Sequence, residues 1–208
     1  YSKAQLAGNP RYTQLLRAQA AAHTAIRSSY VLKVHECFET DAHVYVVMEY
    51  ACDGTLGDIV HQRVSLGERE AVFALVQVMC GVRALRLNRQ YSRCLELSNM
   101  YVKRDKLLRV VLGEVKLADS LNTSAHANSF ERSAAPELLA VDGRVNSKSD
   151  VWSLGYVLYQ LLSGESPFSG ANSSEFVLDA QNNSGAALRP HSRISPAARS
   201  LLQSMLQY

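Results

Sequence analysis

Apolar residues recur along the first half of this chain with two different periods, and each change of period marks a new element. Arg11 to Ile26 places Leu15, Leu16 and a run of alanines at helical spacing, behind Asn9 and Pro10 as N-cap and first helical residue. Val31 to Phe38 and His43 to Met48 are rich in Val and are joined by the polar turn Glu39-Thr40-Asp41, which predicts two strands. Cys52-Asp53-Gly54 predicts a turn into a short helix. Ser65-Leu66-Gly67-Glu68 has the form of a capping box opening a long helix to about Leu87.

The second half is more helical. Met100 to Val102 and Leu107 to Leu117 are the strand-like runs, flanking a polar turn at Lys103-Arg104-Asp105. Asn122 to Ser133 is polar and without period, so a loop is expected there. Ser147 to Leu162 is apolar nearly all round past Asp150, which predicts a helix buried on most of its faces. Ser163-Gly164 stops it, Pro167-Phe168 follows, and Ser195-Pro196 caps a last helix through Leu206.

With 208 residues, 47% of them hydrophobic, the chain is long enough for a sizeable core. A net charge of +3, scattered along the sequence, gives no footprint for nucleic acid or a membrane surface. No run reaches the roughly 18 apolar residues of a membrane span, and no signal segment opens the chain. Cys37, Cys52, Cys80 and Cys94 form no C-x-x-C pair, so reduced thiols in a cytoplasmic setting are expected rather than zinc or disulfides. Asn122, Asn172 and Asn182 each open an N-x-Ser/Thr triplet, read as chance matches without a secretory signal. The missing initiator methionine and the stop at Tyr208, at the end of an apolar helix pattern, suggest a fragment, or the ordered portion, of something larger.

Several strings carry a resemblance. Ala135-Pro136-Glu137, then Ser149-Asp150-Val151-Trp152-Ser153-Leu154-Gly155, resemble the C-lobe signature of eukaryotic protein kinases of the serine/threonine type. His43 to Leu56 resembles the fifth strand, hinge and following turn. Ser92-Arg93-Cys94-Leu95-Glu96-Leu97-Ser98-Asn99 lies where the family has His-Arg-Asp-Leu-Lys-Pro-Glu-Asn, and Asp119-Ser120-Leu121 resembles its Asp-Phe-Gly motif. The resemblance implies an α+β, protein kinase-like two-lobe fold. Residues 1–50 would be a partial N-lobe, comprising the regulatory helix and two strands to the hinge. Residues 51–208 would be a mostly helical C-lobe, truncated before its last helix.

Position by position, the same resemblance implies damaged chemistry. Cys94 stands where the family's Asp accepts the substrate proton, and a thiol with a pKa of about 8.5 substitutes poorly for it. Glu96 stands where Lys neutralises the transferring phosphoryl. Ser120 and Leu121 replace Phe and Gly, and Gln19 replaces the Glu that pairs with the strand Lys. Ser92 and His23 interrupt the internal apolar stack.

Met48, Glu49 and Ala51 would border a nucleotide pocket. Tyr101 would lie on its floor, either crowding adenine or facing away. Asn99 and Asp119 would hold magnesium. Arg93, Glu137, Asp150, Trp152 and Gly155 keep scaffold roles. Asp150 would anchor the catalytic loop, and Glu137 would pair with an Arg beyond the chain's end. The expectation is a pseudokinase that binds protein partners, as a scaffold or as a structural subunit of a large, cytoskeletal assembly. No cofactor is required; Mg-ATP is the ligand implied where nucleotide still binds. The alternatives are a nucleotide-sensing switch and an atypical active kinase.

Overall fold

The computed structural model describes residues 1–4, 10–90, 95–104, 108–113, 133–139, 146–170 and 172–208. Helix α1 (Pro10–Thr24) packs on an antiparallel pair, β1 (Val34–Glu39) and β2 (Val44–Met48), paired from Val34↔Met48 to Glu39↔Val44. Leu16, Val34 and Val44 form a small core there, with Met48 and Val46 packed against it. The chain then runs through α2 (Leu56–Arg63), α3 (Glu68–Leu87), and a second antiparallel pair, β3 (Met100–Arg104) and β4 (Leu108–Leu112). Three more helices follow: α4 (Ser147–Ser163), α5 (Ser173–Asn183) and α6 (Pro196–Met205). This is the mixed helix-and-sheet arrangement of a partial two-lobe kinase fold.

The main core forms around α4. Its apolar faces meet α3 and α6, burying Trp152, Leu158, Leu161 and Leu162. Asn146 caps it, its side chain accepting from the Lys148 and Ser149 backbone N–H groups, and Gly164 ends it in the left-handed region at φ 80°. Trp152 stacks on Phe168 at 5.3 Å, and Phe168 meets the edge of Phe176 at 5.9 Å. Gly155 allows close approach to α6, since a Cβ there would stand 2.9 Å from that of Met205.

Two local expectations are corrected. The start of α3 is capped at Gly67, whose N–H donates to the Glu70 carboxylate at 3.1 Å, and not by Ser65 with Glu68. The reason is that Leu66 is buried and its N–H is held by the Leu161 carbonyl at 2.7 Å, so the chain is still extended there. Glu68 instead accepts from the Ser195 N–H at 3.0 Å. Of the strand-like run Leu107 to Leu117, β4 holds Leu108–Leu112, and the Gly113 N–H carries the ladder on to the Asn99 carbonyl at 2.8 Å; Leu107 and residues 114–117 lie outside the described residues. Helix α5 was not expected: Asn172, singled out only as a triplet, is its N-cap, accepting from the Glu175 N–H at 2.9 Å.

The two parts are stitched together by backbone. The Leu112 N–H donates to the Tyr30 carbonyl at 2.9 Å, and the Leu32 N–H to the Leu112 carbonyl at 2.7 Å. After the β2 end, the Val102 N–H reaches the Gly54 carbonyl at 2.9 Å, fixing the turn before α2 onto β3.

Candidate functional site

The residues expected to border a nucleotide pocket come from the end of β2, from β3 and from the turn that precedes it. Met48 is half-buried against the small core. Glu49 follows it, its N–H donating to the Lys33 carbonyl at 2.7 Å. The Glu49 carboxylate pairs with the Lys103 ammonium from β3. That hydrogen bond, and the ammonium's charge, hold the carboxyl below the ordinary glutamate value. Ala51 is half-buried, and Tyr50 between them is 83% exposed. The Glu49–Lys103 pair ties the segment after β2 to β3, and nothing local in the sequence signals it, the partners being 54 residues apart.

Below the hinge, Tyr101 bridges to Thr55 and is paired with Val111 across the ladder. Its ring lies diagonally over Gly113: a Cβ added there would stand 2.1 Å from Tyr101 Cε2. Of the two orientations open to this side chain, the ring runs along the sheet toward the end of β4.

The turn before β3 brings Glu96 and Asn99 together. Leu97–Asn99 form one 3₁₀ turn, with the Asn99 N–H on the Glu96 carbonyl at 2.9 Å. Glu96 is half-buried and its carboxylate accepts from Ser98 Oγ at 3.2 Å. A carboxamide and a carboxylate suit a hard divalent cation such as magnesium. The same carboxylate would oppose phosphate oxygens brought near it. No group of three His, Cys, Asp or Glu among the described residues is placed to hold a metal.

Ser92, Arg93, Cys94, Asp119, Ser120 and Leu121 lie outside the described residues. Gln19 lies on α1, half-buried, its amide oxygen enclosed without a hydrogen bond among the described residues. His23, one turn on, is buried, and desolvation lowers its pKa below the ordinary histidine value.

The scaffold residues occupy distinct places. Asp150 pairs with Arg86 at the end of α3, linking the two long helices through a largely buried ion pair. Glu137 is exposed in the turn Pro136–Leu139, and Ala135 before it is fully buried. Sequence reasoning missed Gln77, a buried amide in mid-helix. Its Oε1 accepts from the Val110 N–H at 3.0 Å and its Nε2 donates to the Phe73 carbonyl at 3.3 Å, pinning α3 to β4. A lone Gln within the apolar run Ala71–Val82 is the signal that pointed to it.

Among the described residues, no helix is long and apolar enough to cross a membrane. The protein kinase domain family matches residues 7–208. The chain is 29% identical over 204 residues to the inactive serine/threonine-protein kinase PLK5 of Mus musculus, covering 96% of this chain and 33% of that protein. It is 30% identical over 183 residues to the human NUAK family SNF1-like kinase 2, covering 84% and 28%. It is 29% identical over 150 residues to the serine/threonine-protein kinase polo of Drosophila melanogaster, covering 70% and 26%. The chain thus spans a third or less of the length of these relatives.

Proposed function

The chain belongs to the protein kinase family, and we propose that it is a pseudokinase domain whose work is to bind protein partners. The observation that carries this reading is Glu96, a carboxylate tied into one 3₁₀ turn with Asn99 where the family resemblance puts a phosphate-facing Lys. A carboxylate about 4 Å from a phosphoryl oxygen is repelled by about 4 kcal/mol at an effective dielectric of about 20. Loss of the proton-accepting Asp, with Cys94 in its place, works in the same direction. Similarity to a mouse relative named as inactive supports the reading, although the human and fly relatives carry kinase names without that qualifier. Cytoplasmic location, and service as a subunit of a larger or cytoskeletal assembly, are parts of the same proposal.

A second reading, nucleotide binding without turnover, is favoured by Asn99, whose side chain makes no hydrogen bond among the described residues. Asp119 would supply the carboxylate in that case. The test is a phosphotransfer assay on the full-length protein, beside thermal melts with ATP, with and without magnesium. No transfer and no shift is the expected result. Ligand at about 100 times its dissociation constant adds about 2.7 kcal/mol, so binding is readily seen. A magnesium-dependent shift without transfer selects the nucleotide switch. Transfer abolished by Asp119→Ala overturns the pseudokinase reading.

A further inference from the structure

On the side of β3 away from the hinge, a groove of about 850 Å³ opens between α2, α3 and the β3–β4 pair. Strand alternation separates the two sides. Tyr101 and Lys103 are directed to the cleft residues Gly113 and Glu49, whereas Val102 and Arg104 line the groove. The floor is apolar, made by Leu56, Ile59, Leu66 and Val102. Phe73 from α3 and Leu108 from β4 flank it, at 51% and 45% exposure. Large side chains this exposed, beside a concave apolar floor, leave surface that water covers at a cost. The apolar face continues along α3 with Val76, three residues on from Phe73 and 52% exposed.

The rim decides what fits. Arg63, Arg69 and Arg104 line the groove against a single carboxylate, Glu70. Glu70 is committed: it takes both terminal nitrogens of Arg63, at 2.9 and 2.7 Å. Asp53 accepts from the Arg104 backbone N–H at 2.8 Å and not from its guanidinium. Among the described residues, the guanidinium groups of Arg69 and Arg104 make no ion pair and stand as positive charge over an apolar floor.

We propose that this groove docks an acidic peptide segment of a partner protein, with aliphatic side chains seated against Phe73 and Leu108. Its carboxylates would lie over Arg69 and Arg104, in the bidentate geometry that guanidinium favours. The groove volume falls within the about 300–1,000 Å³ of ligand sites, and its open side admits a chain rather than an enclosed metabolite. This deepens the scaffold reading, for which it supplies a surface. A failure here would remove that surface and leave the phosphotransfer result untouched.

The experiment is fluorescence anisotropy of the whole chain with a short labelled peptide alternating Glu and Leu. The same peptide with Lys for Glu, and one with Ser for Leu, serve as comparisons. The acidic, leucine-bearing peptide is expected to bind best, with affinity falling as salt rises. Arg69→Glu with Arg104→Glu should weaken it roughly tenfold or more and shift preference toward the Lys peptide. Phe73→Ser with Leu108→Ser should weaken it similarly without changing the charge preference. All four side chains are exposed or half-exposed, and circular dichroism checks that the variants stay folded. No binding, equal binding of the acidic and basic peptides, or indifference to the Arg pair overturns the proposal.

Discussion

Replacing Gly113 by Ala probes where the Tyr101 ring lies and what holds it there. A Cβ at Gly113 would stand 2.1 Å from Tyr101 Cε2 and 2.6 Å from Cδ2, well inside contact distance. The backbone does not demand glycine, because positive φ among the described glycines is confined to Gly54, Gly164, Gly170 and Gly185. The penalty is therefore steric. Relief requires the ring to swing away or the end of β4 to withdraw from the 2.8 Å bond to Asn99. Overpacking of this kind costs about 1–3 kcal/mol, partly offset by about 0.4–1 kcal/mol from a stiffer unfolded chain. A net loss of about 1–2 kcal/mol, or a Tm lower by about 2–8 °C at this chain length, is expected. Thermal melts and urea titrations of the chain would be run with Gly113→Ala, Tyr101→Ala and the double variant. The three atoms nearest the added methyl all belong to this ring, so the cycle should show coupling of about 1 kcal/mol or more. A Gly113→Ala melt no lower than the parent, or strict additivity, refutes the ring placement and the account of Tyr101.

Val64 holds φ 70° at the end of α2, a conformation that a β-branched residue adopts only at a cost, and its side chain is 54% exposed. Val64→Gly should stabilise by about 1 kcal/mol and raise Tm by about 2–4 °C; a lower Tm would show that its packing outweighs the strain. Phe176→Ala removes a 2%-exposed ring from contact with Phe168 and Tyr156, and should cost about 3–5 kcal/mol in urea titration. A loss under about 1 kcal/mol would mean that α5 is not docked through this ring. His23 has a lowered folded pKa, so it stays neutral when the unfolded chain begins to protonate. Stability should therefore fall as pH drops below about 6.5, and His23→Leu should flatten that part of the pH–stability curve. An unchanged slope would count against its burial.

What was legible in the sequence followed from period and punctuation. Helix α4 could be placed nearly to the residue because its apolar positions surround it and Gly164 ends it. The strands β1 and β2 were legible from their Val content and the turn between them. Helix α5 was missed because its buried apolar positions, Phe176 and Ala180, form a stripe only one turn long, with Val177 and Leu178 beside it blurring the period. Its stronger signal was the Asn172–Glu175 cap pair, which the triplet motif obscured. Ser65-Leu66-Gly67-Glu68 misled for the opposite reason: the local capping string was present, yet burial of Leu66 against α4 decided where α3 begins. The ties that position the site were not legible at all. Glu49 to Lys103 and Arg86 to Asp150 span 54 and 64 residues, and no periodicity within a window carries such pairs.

The placement of Asp150 and Tyr101 also bears on how a domain of this kind divides its labour. Asp150 is engaged by the Arg86 side chain and so joins α3 to α4; residues 92–94 of the loop it was expected to hold lie outside the described residues. Breaking such a pair on one side leaves a largely buried charge uncompensated, a fault worth about 3–5 kcal/mol. An acid at this position thus has a part in folding through Arg86. The β3–β4 pair works in both directions. One face carries Tyr101 and Lys103 toward the hinge; the other supplies Val102, Arg104 and Leu108 to the groove. A peptide seated in the groove would press on the same two strands whose opposite face forms the cleft floor. Because the side chains alternate, substitutions at Arg104 or Leu108 leave the Tyr101 ring and the Glu49–Lys103 pair in place. The groove and the cleft can therefore be altered one at a time, and a change in one that moved the other would measure the stiffness of the strand pair between them.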